Sequence, residues 1–216
     1  MNTFPKLFML TPLLIGCALL AGHAAQAQES MDAHAHHHMM MQGMPGMKTM
    51  MPAMKTSTVT YTVPAVTLVR DDGKTVALKD ELDDGRPVVL TFIYTTCTSI
   101  CPVLSQTLSQ LQQALGADRD KVHIVSISID PENDTPARLH AYAAKFGAGP
   151  EWQHYTGTLA ASVATQKAFN VYRQDKMDHN PVMFLRAAPG QSWLRVDGFA
   201  TTDDLLHMYH SLVASN

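Results

Sequence analysis

The chain has 216 residues, of which 46% are hydrophobic and 16% charged, with a net charge of −3. That is room for one domain of ordinary size plus extensions. The 16 basic residues form no stripe or cluster, which excludes nucleic acid as a partner. The first segment in chain order is a leader rather than part of a fold. Residues 1–27 carry Lys6, then the apolar run LFMLTPLLIGCALLAG, then Ala25-Gln26-Ala27, the small-x-small pattern of a cleavage site. A signal peptide cleaved after Ala27 is expected, and with it export to the periplasm. Leu14-Ile15-Gly16-Cys17 offers a rival, a lipoprotein box that would make Cys17 a lipidated membrane anchor. The apolar ALLAG that continues past Cys17 argues against it. Pro12 interrupts a stretch already short for spanning a bilayer, which argues against an uncleaved anchor. Removal of Lys6 leaves 15 basic and 19 acidic residues, a mature net charge of −4.

Residues 28–57 have a different composition. MDAHAHHHMMMQGMPGMKTMMPAMK holds four of the eleven histidines and nine of the fourteen methionines, and lacks Val, Ile, Leu and aromatic residues. Such a segment buries too little to offset its ordering entropy and is predicted to be disordered. Thioethers suit Cu(I), and imidazoles suit Cu(I) and Cu(II). His34, His36, His37, His38, Met39, Met40, Met41, Met44, Met47, Met50, Met51 and Met54 are therefore candidate copper ligands. A spacer of drifted composition is the other reading.

The globular part is expected over 58–216. VTLVRDDGKTVAL reads as a β-hairpin turning at Asp72-Gly73, and PVVLTFIY as a buried strand of the kind parallel sheets use. Leu104, Leu108, Leu111 and Leu115 recur at helical spacing up to Gly116. VHIVSISI is a second buried strand. Asp134-Thr135-Pro136 then sets a cap and first-turn proline for a helix to about Phe146. A helix over about Ala160–Phe169, a hairpin of VMFLR and SWLRV about Pro189-Gly190, and a last helix TDDLLHMYHSLV follow. This order predicts an α/β domain with a thioredoxin-like fold: a central mixed sheet flanked by helices, preceded by an N-terminal hairpin.

TTCTSICP lies where the first long strand meets the first long helix. After cleavage, Cys97 and Cys101 are the remaining cysteines. A structural disulfide between them would close a short loop and remove little unfolded-chain entropy, so chemistry is the better account. A helix N-terminus favours thiolate, and both sulfurs are expected to ionise more easily than a free thiol. The spacing suits thiol–disulfide exchange or a soft metal held between two thiolates. A third ligand is expected from DKMDHNPVMFL. In thioredoxin-like folds a proline before this strand packs beside the cysteines; with Pro181 in that role, His179 faces the sulfurs. Two thiolates and an imidazole make a trigonal site suited to Cu(I), and to Cu(II) with an added ligand. A peroxiredoxin-like peroxidase is excluded, because the upstream Pro and Thr it needs are Leu90 and Tyr94 here.

FIYTTCTSICP, SISIDPENDTP and DKMDHNPVMFL, in this order, resemble the SCO/SenC family of copper chaperones from Tyr61 to Leu212. The resemblance implies copper carried on Cys97, Cys101 and His179, and help in building the copper centre of a cytochrome oxidase. The partner it implies is a copper-accepting oxidase subunit. Some relatives are thought to act as thiol–disulfide reductases, which makes Cys97 and Cys101 a redox pair and implies an external thiol reductant. Two departures stand out. The commoner Cys-Pro-Asp-Val-Cys is Cys-Thr-Ser-Ile-Cys here, removing an acid beside the metal, and the Met/His segment lies outside the family's core. Asp130 of IDPENDTP is either a support behind the metal or a turn former. His207, His210 and Asp203 read as a solvated helix face, and Trp152 and Tyr155 as core. The leading reading is a copper-delivering assembly chaperone rather than a turnover enzyme. The alternatives are a periplasmic oxidoreductase that keeps a partner's copper-ligand cysteines reduced, and a copper-sequestering protein.

Overall fold

A computed structural model describes residues 54–215. Signal cleavage, lipidation at Cys17 and the tail ligands from His34 to Met51 lie outside the described residues. The chain runs through β1 (Lys55–Val59), β2 (Thr67–Arg70), β3 (Thr75–Ala77), α1 (Leu78–Leu82), β4 (Val88–Ile93) and α2 (Ile100–Leu115). It continues through β5 (His123–Ser128), α3 (Pro136–Lys145), β6 (Trp152–Gly157) and α4 (Leu159–Ala168). β7 (Val182–Arg186), β8 (Trp193–Asp197) and α5 (Thr202–Ala214) complete it. All the strands join one sheet in the order β1-β8-β7-β4-β5-β6-β2-β3. β4, β5 and β6 run parallel and the other pairings are antiparallel, the mixed sheet expected of a thioredoxin-like α/β domain.

β4 is buried along its whole length because both faces of the sheet are covered. Side chains alternate between the faces. Val88, Leu90 and Phe92 join Leu68, Tyr155, Phe169, Phe184 and Trp193 on one side. Val89 joins α2 and α5 on the other. The leucine stripe of α2, Leu104, Leu108, Leu111 and Leu115, is buried in that second cluster. Each leucine removed from water stabilises the fold by about 2 kcal/mol. This fixes the helix over the sheet with its N-terminus at the C-terminal end of β4.

The expected hairpin at Asp72-Gly73 is β2–β3, where Gly73 takes a φ of +87°. Thr135 caps α3 by accepting from the Arg138 N–H, with Pro136 in the first turn. α5 opens on a capping box of Thr201 and Asp204. β1 starts at Lys55, within the segment 28–57, because Lys55–Val59 pairs along β8. β6 was not foreseen. Its sequence WQHYTG carries polar side chains on both faces, yet Trp152, His154 and Tyr155 are buried. Among the described residues, no helix is long and apolar enough to cross a membrane.

Candidate metal centre

β4 ends at Ile93, and the chain turns at once: the Cys97 N–H donates to the Tyr94 carbonyl at 3.1 Å. α2 then begins at Ile100, so Cys101 stands in its first turn and Cys97 just before it. Pro102 is tolerated because first-turn N–H groups have no partner inside the helix. The Cys101 N–H donates to the Cys97 sulfur at 3.4 Å. Both cysteines are free thiols, 6% and 0% exposed.

His179 arrives from a short 3-10 turn, Lys176–Asp178, ahead of β7. Its Nδ1 lies 3.0 Å from the Lys176 carbonyl. A carbonyl only accepts, so Nδ1 carries the proton and Nε2 keeps its lone pair. Nε2 is the nitrogen that faces Cys101 Sγ, at 3.5 Å. A backbone carbonyl orienting a ligating imidazole in this way is a recurring feature of metal sites. Burial pushes the His179 pKa down, against the opposing effect of its bond to Lys176, and this favours the neutral ring a metal needs.

The ligand atoms of Cys97, Cys101 and His179 all lie within 4.8 Å of one another. A trigonal ion with metal–sulfur bonds of about 2.3 Å sets its donors about 4 Å apart. The cluster therefore fits a soft ion with small adjustment. Among the described residues it is the one such cluster; His207 and His210 stand exposed on α5, as expected of a solvated face.

The two thiols differ in acidity. At Cys97, burial opposes ionisation. Hydrogen bonds from the Cys101 and Ser99 N–H groups, and from the Cys101 side chain, outweigh it and pull the pKa from 9.0 to about 7. At Cys101, burial pushes the pKa up and the neighbouring Cys97 adds to the rise. The expectation of two easily ionised sulfurs thus holds for Cys97 and fails for Cys101. A helix N-terminus does not compensate a thiol that has lost all contact with water.

Polar groups behind the ligands hold both loops. Asp134 is fully buried, and its carboxylate accepts from the Thr95 N–H at 3.2 Å, the Thr95 hydroxyl at 2.5 Å and the Ser128 hydroxyl at 2.6 Å. It fastens the strand-to-helix loop from which Cys97 projects. Asp130 forms the turn, its carbonyl accepting from the Asn133 and Asp134 N–H groups. It also reaches the histidine loop, its carboxylate taking Lys176 Nζ at 2.5 Å. Lys176 in turn supplies the carbonyl that orients His179. Tyr94 packs its ring edge-on against His179, centroids 5.3 Å apart, and donates its hydroxyl to Met177 Sδ at 3.2 Å. Sequence reasoning missed Asp134, Lys176 and Tyr94 as parts of the site. Asp134 had been absorbed into the α3 cap, where Thr135 alone does the capping.

The SCO1/SenC family model matches residues 54–214. The "SCO1 protein homolog" of Bacillus subtilis (strain 168) is 30% identical over 156 residues, which cover 68% of this chain and 80% of that protein. Among solved structures, Bradyrhizobium japonicum ScoI with copper bound is 28% identical with a TM-score of 0.56, the match covering 68% of this chain and 96% of that one. BsSco, a member of the Sco family of cytochrome c oxidase assembly proteins in which a disulfide switch was identified, is 26% identical with a TM-score of 0.61. That match covers 74% of this chain and 98% of BsSco.

Proposed function

Because the chain belongs to the SCO1/SenC family, we propose that it is an exported copper carrier. In this reading Cys97, Cys101 and His179 hold one copper ion and pass it to a copper centre of a respiratory cytochrome oxidase. The observation that carries the reading is the convergence of two sulfurs and an unprotonated Nε2 within 4.8 Å, in a pocket where all three residues are buried. Thiolate sulfur and imidazole nitrogen select soft, polarisable ions. The copper-bound state of the Bradyrhizobium japonicum relative supports copper over zinc. Burial limits exposure of the bound ion to water and chelators, while the surface position of the 3-10 turn lets His179 yield to a recipient's ligand.

Export rests on the leader at residues 1–27, and the histidines and methionines of residues 28–57 are read as a copper-collecting tail. The test is copper binding by the full chain under reducing conditions. His179→Ala should weaken Cu(I) binding by more than about 100-fold, beyond what losing a supporting partner costs. The Cys97–Cys101 disulfide should still form in that variant. Affinity equal to wild type would remove His179 from the ligand set.

A second reading is a thiol–disulfide oxidoreductase, and the acidity difference between the thiols favours it. Cys97, near 7, would attack a partner's disulfide, and Cys101, pushed up by burial, would resolve the mixed disulfide. His179 decides between the two, since exchange chemistry has no need of it.

A further inference from the structure

Met177 has the wrong surroundings for its residue type. Thioethers fill cores, yet Met177 is 68% exposed, the most exposed large hydrophobic side chain among the described residues. It belongs to no apolar cluster. Its sulfur is nevertheless held in place: the Tyr94 hydroxyl donates to Sδ at 3.2 Å, and the Met177 N–H donates to Asp175 Oδ1 at 2.9 Å. Tyr94 is itself rigid, 3% exposed, with its ring against His179. The same side chain packs with Cys97 in one buried cluster. One phenol therefore links the buried cluster around Cys97 to the exposed Met177 sulfur. Met177 also lies in the 3-10 turn that ends just before His179, two residues away.

We propose that Met177 is a thioether entry ligand, the first residue of the folded domain to take Cu(I) and the one that hands it inward to Cys97, Cys101 and His179. This rests on the copper-carrier reading above. A thioether sulfur has two lone pairs. Tyr94 occupies one, which leaves the other for a metal on a side chain that is itself exposed. Thioethers bind Cu(I) without losing a proton and release it to thiolates, so Met177 suits capture and transfer rather than storage. Cys101 has no exposed surface, and an arriving ion cannot meet it first. The sequence of exchange is a relay. The donor's bond to Cu(I) breaks as the Met177 sulfur bonds. The Met177 bond breaks as Cys97, Cys101 and His179 bond. The thiol protons leave to solvent, and copper stays Cu(I) throughout, so no oxidant or reductant is needed.

The test uses the full-length, reduced protein and Cu(I) supplied as a soluble thioether complex. Met177→Leu keeps the volume and removes the sulfur. We expect it to load the inner site about tenfold more slowly, a change of ~1.4 kcal/mol in the barrier. Equilibrium affinity should stay within about threefold of wild type, because an entry ligand lowers a barrier and leaves the end state alone. In wild type labelled with ¹³C at methionine methyls, the signal that Met177→Leu deletes should shift early in a Cu(I) titration and return as the inner site fills. Unchanged loading rates, or a Met177 methyl that never shifts while the inner site fills, would overturn the relay and leave the carrier reading standing. Failure of wild type to bind Cu(I) on Cys97, Cys101 and His179 would overturn both. A parallel loss of affinity in Met177→Leu would make Met177 a permanent ligand and likewise overturn the relay.

Discussion

Asp134 gives the sharpest test of whether the site is held from behind. Asp134→Asn keeps the size and removes the charge and one acceptor oxygen. The native carboxylate, fully buried, accepts from the Thr95 N–H, the Thr95 hydroxyl and the Ser128 hydroxyl. Hydrogen bonds to a charged group contribute about 1.5–3 kcal/mol each, against 0.5–1.5 kcal/mol for neutral ones. Weakening all of them by about 1 kcal/mol each predicts a loss of roughly 3 kcal/mol, which a protein of ordinary stability survives.

Copper affinity faces two opposing effects. The Asp134 charge raises the Cys101 pKa, so neutralising it favours the thiolate. The Asp134 effect is, however, smaller than those of burial and of Cys97, whereas the Thr95 bonds fix the loop that aims Cys97. Geometry should win, and affinity should fall by about 10–100-fold, the usual cost of losing a group that orients a ligand. Urea unfolding of the reduced, metal-free chain measures the first quantity and competition with a Cu(I) chelator the second. A double-mutant cycle with Thr95→Val should show a coupling of about 1–2 kcal/mol in stability. Copper affinity equal to or tighter than wild type would refute the claim that Asp134 acts by holding the Cys97 loop.

Other consequences can be measured on the same protein. His154 is completely buried with neither ring nitrogen hydrogen-bonded, and burial pushes its pKa from 6.5 to about 3. A depressed folded-state pKa means the contribution is whole above about pH 6.5 and is lost as the pH falls toward 3. At pH 4.5 the His154 contribution should be down by ~3 kcal/mol, and urea unfolding of His154→Phe should show a correspondingly smaller loss between pH 7 and 4.5. In the reduced, metal-free chain, iodoacetamide should label Cys97 with an apparent pKa near 7 and leave Cys101 unlabelled until unfolding; equal labelling by mass mapping would contradict the acidity difference. Replacing His34, His36, His37 and His38 with Ala should lower the copper bound beyond one equivalent without changing core affinity, as read by metal analysis at pH 7.5; unchanged stoichiometry would remove these histidines as ligands.

The cluster of Cys97, Cys101 and His179 was legible in the sequence because the chemistry leaves little choice of residue: soft copper wants Cys and His, and those residues are few. β4 and α2 were legible for a similar reason, since an apolar run and a leucine stripe declare burial by period alone. What escaped was built from common residues at long sequence separation. Asp134 reads as one more capping acid until the fold sets it against Thr95, 39 residues earlier. Lys176 reads as a solvated lysine until its amine meets Asp130, 46 residues away. β6 escaped because His154, Thr156 and Gln153 look polar in a list, while in the sheet they lie between covered faces. The acidity of Cys101 was misjudged for a related reason. Helix position is visible in the sequence, but the burial that overrides it depends on Leu139 and Tyr142 of α3, which close over the cysteines in a third apolar cluster. The division follows from energetics. A ligand acts through bonds whose chemistry belongs to the residue itself, whereas a support acts through a distance, and that distance is set only when the whole sheet has formed.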